Sequence, residues 1–143
     1  MISGNLLETI RKVDISEEEI AVTVSGVVSM GLEILAGRVL APEFGSTIYT
    51  WGSIIGVFML ALSLGYHYGG KRASSIGMED LEKYLIYTVF YTVFLIYFGQ
   101  QVLEIASLLP VSPRYGSIIP LAILFGPPTY FLGYISPFAA QLS

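Results

Sequence analysis

Four apolar runs of about twenty residues fill most of this chain, and that is the length a helix needs to cross the hydrocarbon core of a bilayer. They cover about 20–40, 48–68, 84–105 and 117–140. Pro42 stops the first, and Gly69-Gly70-Lys71-Arg72 ends the second. The third lies between Glu79-Asp80 and Pro110-Val111-Ser112-Pro113, and the fourth contains Pro120, Pro127 and Pro128. The reading is an all-α integral membrane four-helix bundle with a kinked fourth helix. It forms one transmembrane domain over 20–143, preceded by a polar, amphipathic segment over 1–19.

Composition bounds the function. Hydrophobic residues make up 54% of the 143 and charged residues 13%, where soluble domains carry about 25% charged residues; mean hydropathy is +0.70. A separate soluble catalytic domain finds no room. The absence of cysteine removes disulfides, thiolate catalysis and cysteine-based metal sites. His67 is the only histidine; without cysteine it would need several carboxylates to hold zinc, and it reads as an interfacial residue. No nucleophile–base pair stands out, so no enzyme activity, catalytic residue, metal or cofactor is expected. The net charge of −4 argues against a nucleic-acid partner.

Basic residues near the span ends set the expected orientation. Arg11, Lys12, Lys71, Arg72 and Lys83 fall on one side, and Arg38 and Arg114 on the other. Both termini are therefore expected in the cytoplasm, with the chain in the cell membrane. The first eighteen residues are polar and acidic and lack the apolar core of a signal peptide. Ile2, Leu6, Leu7, Ile10 and Val13 recur at helical spacing, which suits either a segment lying on the inner membrane surface or a solvated leader. Ser16 with Glu19 makes a capping box for the first spanning helix.

Small residues mark packing faces. Gly52 and Gly56 form a GxxxG pair whose face continues through Ser63 and Gly70, while Ala61, Gly65 and Gly69 make a second small stripe on roughly the opposite face. Two such faces suit a helix packed between two neighbours, although pairing of two chains through one of them is possible. Tyr84, Tyr87, Tyr91, Phe94 and Phe98 line one side of the third span, as core, lipid-facing surface or ligand contacts.

Glu33 lies deep in the first span, where a carboxylate needs a partner or a cationic ligand. Ser25, Ser29 and Gly37 share its four-residue spacing, so the face should turn inward. Arg38 stands about 140° around the helix and does not share that face. Trp51, Tyr97 and Gln100 lie at comparable depth on the second and third spans. On the fourth, Gly126, Pro127 and Pro128 form a helix break that frees the carbonyls of Ile123 and Leu124. Two readings stay open. Glu33, Trp51, Tyr97 and Gln100 line a substrate-binding pocket for an organic cation, or Glu33 is a protonated or paired residue that fixes helix packing.

The run from Glu33 to Phe58 (EILAGRVLAPEFGSTIYTWGSIIGVF), continuing through Leu64–Arg72 (LGYHYGGKR), resembles the N-terminal multi-span membrane domain of fused spermidine-synthase-like proteins, described as major-facilitator-like. Gly133-Tyr134-Ile135-Ser136-Pro137-Phe138 is similar to the same domain. The likeness covers about 22–75 well and 126–141 more loosely. It does not extend to the aminopropyltransferase domain, whose fold and nucleoside-binding motif this chain lacks, so that activity is not carried over. Longer members continue with further spans, so the chain is expected to be half of a membrane domain: either a half-size protein that pairs with itself or with a second membrane subunit, or a fragment. The resemblance implies a polyamine as the organic cation. The two functions this leaves are a half-size transporter or binding protein for such a cation, and a non-transporting anchor or scaffold for a separately encoded enzyme.

Overall fold

A computed structural model describes residues 4–6, 8, 17–75, 77–112 and 114–142. Four helices follow one another: α1 (Glu17–Phe44), α2 (Ile48–Arg72), α3 (Met78–Ser107) and α4 (Ile118–Leu142), with no strand among the described residues. Each is long and apolar enough to span a membrane. Of the expected segment over 1–19, residues 4–6, 8 and 17–19 are described, all helical and the last three already part of α1, while Ser16 lies outside the described residues.

Local chemistry sets the helix ends. α1 runs through Pro42, where the sequence suggested a stop. A proline that near the end removes a single helical hydrogen bond, the one that would reach the Arg38 carbonyl. The helix terminates instead at Gly45, whose φ of 75° is the left-handed conformation glycine adopts most easily, with Gly45 N donating to Ala41 O at 2.9 Å. Two residues later Thr47 caps α2 by accepting from Thr50 N at 3.3 Å. Gly69 to Arg72 continue α2 rather than ending it, and Lys71 and Arg72 sit in its last turn, where cations suit the helix dipole. Glu79 and Asp80 occupy the first turn of α3.

α4 is the organising element. It packs most extensively on α2, and also on α1 and α3; α1 touches both α2 and α3, whereas α2 and α3 make no close approach to each other among the described residues. In the most apolar stretch of α4, 56% of residues are buried, against 22%, 28% and 17% in α1, α2 and α3. Leu121, Leu124 and Phe125 of α4 meet Ala36 and Leu40 of α1, Ile54 and Phe58 of α2, and Leu103 of α3 in one buried cluster, with the Phe58 and Phe125 rings 6.0 Å apart. The bundle is thus three helices arranged around a fourth, with the side between α2 and α3 left open.

Glycine makes the α2–α4 contact close. A Cβ at Gly65 would lie 2.9 Å from the Gly133 Cα and against the Tyr130 carbonyl, and one at Gly133 would lie 2.9 Å from the Leu62 carbonyl oxygen. Backbones approach this closely only where side chains are absent. Gly69 continues the contact against Pro137 and Tyr134. The expectation of a second packed face is corrected, because a Cβ at Gly52 or Gly56 would meet nothing within 4 Å. Those two residues stand about 200° around the helix from Thr50 and Ile54, which are buried, so they face outward. At the other end of α3, the Tyr84 ring packs, tilted, 4.8 Å from Tyr134 and 5.8 Å from Phe131. Tyr68 of α2 approaches Tyr130 at 6.5 Å. α4 aromatics thereby bridge two helices whose backbones make no close approach among the described residues.

Candidate functional site

The buried face of α1 is Ser25, Ser29, Leu32, Ala36 and Leu40. That spacing averages close to 3.6 residues, so it stays on one line along the helix. The sequence of fours from Ser25 through Glu33 to Gly37 gains about 40° per turn and drifts off that line. Ser25 and Ser29 are therefore buried, while Glu33 and Gly37 are half-buried on its flank. The flank is turned toward α2. A Cβ at Gly37 would stand 2.7 Å from Trp51 Cη2 and 3.1 Å from Cζ2, so the indole lies directly on the glycine. Its Nε1 donates to Ser46 Oγ at 3.2 Å, which fixes the ring from the loop side. Glu33 is one turn from Gly37, and residues four apart on a helix have Cβ atoms about 5–6 Å apart. The carboxylate thus lies one helical turn from the glycine against which the chain's only tryptophan rests.

Glu33 makes no ion pair or hydrogen bond among the described residues; the one ion pair there joins Lys83 to Asp80 at 3.2 Å on the surface of α3. Arg38 is exposed and does not approach Glu33 as a counter-ion. Ser53, another polar residue at this depth, donates to its own helix at Tyr49 O, 2.8 Å away. What stands here is one acid without an ion-pair or hydrogen-bond partner among the described residues and, one turn on, one aromatic ring against Gly37. Among the described residues no group of three His, Asp or Glu is placed to hold a metal ion.

Tyr97 and Gln100 do not join them. The packing stripe of α3 is Thr88, Leu95, Gly99 and Leu103, and Tyr97 stands about 200° around the helix from Leu95. It is 72% exposed, and Gln100 is also exposed. The expected four-residue pocket is corrected, since Tyr97 and Gln100 face outward: equal depth along the helices does not supply equal facing.

The expected helix break is likewise not an interruption. Gly126, Pro127 and Pro128 lie within continuous α4, Pro128 buried and the other two half-buried. Pro127 has no N–H to offer the Ile123 carbonyl. The Tyr91 hydroxyl of α3 donates to that carbonyl instead. Two residues on, the buried Thr129 hydroxyl donates to Phe125 O at 2.7 Å. Tyr91 was legible only as part of an aromatic stripe, and its pairing with Ile123 could have been found by matching the freed carbonyl to a mid-span hydroxyl on another helix.

Comparison of the chain with protein-family models, with curated proteins and with solved structures gives no match.

Proposed function

We propose that this chain is a multi-pass protein of the cell membrane that binds an organic cation such as a polyamine in its α1–α2 cleft, as a half-size transporter or binding subunit. The observation that carries this reading is Glu33: a half-buried carboxylate in an apolar helix, without a cation or donor among the described residues, one turn from the glycine on which Trp51 rests. An ionised group in such a place needs compensation, and an ammonium ion supplies charge for the acid and a cation–π contact for the indole. In this reading both termini are cytoplasmic, α4 bends at Pro127-Pro128, and a second copy or another membrane subunit encloses the path that four helices leave open. Polyamine as the cation rests on the resemblance to the membrane domain of spermidine-synthase-like proteins.

The exposed Tyr97 and Gln100 favour a second reading, in which α3 presents polar and aromatic side chains to a separately encoded partner and the chain is an anchor or scaffold. Equilibrium binding of labelled spermidine to the reconstituted protein separates the two. Cation binding predicts saturable uptake or binding that Glu33→Gln abolishes and Trp51→Leu weakens. Wild-type protein that binds no amine, or a Glu33→Gln variant that binds as well as wild type, removes the cation reading and leaves the scaffold.

A further inference from the structure

A trough runs along the opposite flank of α2, away from Glu33. Its outer part, about 400 Å³, lies between the N-terminal half of α2 and the α3–α4 loop. Its inner part, about 410 Å³, continues between α2 and α4 as far as Pro127 and Tyr130, and the two share Val57, Leu60 and Ile118. The α2 wall is recessed because Gly52 and Gly56 contribute no side chain and nothing fills the space before them. Arg114 stands at the outer mouth with its guanidinium 5.2 Å above the Tyr49 ring. It is exposed and forms no ion pair among the described residues.

We infer that this trough holds one acyl chain of an anionic phospholipid, whose phosphate pairs with the Arg114 guanidinium. The lining supplies the apolar part of the match, and the length supplies another. From Ile48 to Leu64 α2 rises about 24 Å, more than the ~15 Å half-thickness of the hydrocarbon core, so a chain of one leaflet fits from mouth to end. Charge supplies the third: a guanidinium forms a forked pair with phosphate, and here the Tyr49 ring holds it at the mouth without neutralising it. A second copy docked symmetrically on this face would bring its own Arg114 to the same rim, like charge against like. The lipid has no such penalty. This site is separate from the Glu33 cleft and stands or falls independently of it.

Native mass spectrometry of the full chain, released from vesicles of mixed phosphatidylglycerol and phosphatidylcholine, tests the inference. The wild type is expected to retain one phosphatidylglycerol in preference to phosphatidylcholine. Arg114→Gln should lower that retention about fivefold, the effect of losing one cation near a lipid surface, and level the two lipids. Gly56→Leu fills the trough without touching the core and should reduce retention of both. Unchanged phosphatidylglycerol retention in Arg114→Gln would overturn the proposal. So would a wild-type dimer that Gly56→Leu converts to monomer with lipid retention unaltered, which would make the occupant a second copy.

Discussion

The Tyr91 hydroxyl takes the place of the N–H that Pro127 cannot offer, closing on the Ile123 carbonyl from a neighbouring helix. The bond joins α3 to α4 and satisfies a backbone acceptor that would otherwise stand unpaired at membrane depth. Tyr91→Phe should destabilise the protein by about 1 kcal/mol, within the range measured for hydrogen bonds between membrane helices. Pro127→Ala restores the helical N–H, so in that background Tyr91→Phe should cost much less. Unfolding in mixed micelles, run as a double-mutant cycle, measures the coupling; additive losses would show that the two residues do not share the carbonyl.

The two glycine faces of α2 should respond in opposite ways. Gly65→Ala and Gly133→Ala drive a Cβ into facing backbone and should cost about 1–3 kcal/mol, as overpacking does. Gly52→Ala and Gly56→Ala meet open space, and the gain in helix propensity should leave them neutral or up to about 1 kcal/mol more stable. Thermal unfolding of the four variants in one detergent gives the comparison.

Trp51 is the only tryptophan, so its fluorescence reports on the α1–α2 contact at Gly37. Gly37→Ala should push the indole off α1 and shift its emission to longer wavelength, because an added Cβ would lie 2.7 Å from Cη2. Glu33→Gln should leave the emission of the free protein close to that of wild type while abolishing any change on addition of spermidine. An amine-induced change that survives Glu33→Gln would place the cation elsewhere.

Gly45 holds φ of 75° where α1 turns into α2. Gly45→Ala should cost about 1 kcal/mol or somewhat more through strain in that conformation, and Gly45→Asn less, because asparagine tolerates it better. The cost should appear in unfolding measurements without moving Trp51 emission, since the strain is local to the turn.

The existence of four helices was legible because a continuous apolar run of this length has few other ways to satisfy its backbone. Their ends were less so. Pro42 reads as a stop, yet the left-handed Gly45 sets the end, and glycines 69 and 70 read as terminators in a place where Gly69 serves to bring α4 close. The candidate site failed on rotation rather than depth. Glu33 and Gly37 drift from the Ser25–Ser29 line by a calculable angle, and Tyr97 is carried outward by the Leu95–Gly99–Leu103 line that α3 buries. The Gly37–Trp51 contact required knowing which flank of α1 meets α2, which no single helix encodes.

That α4 touches all three other helices has a consequence for how the protein is made. A ribosome makes α4 after α1, α2 and α3, and α2 and α3 make no close approach to each other among the described residues. Until Leu121, Phe125 and Gly133 are in place, the three earlier helices lack the surface against which their buried residues pack. Assembly of these four helices therefore depends on α4, which follows the other three in the chain.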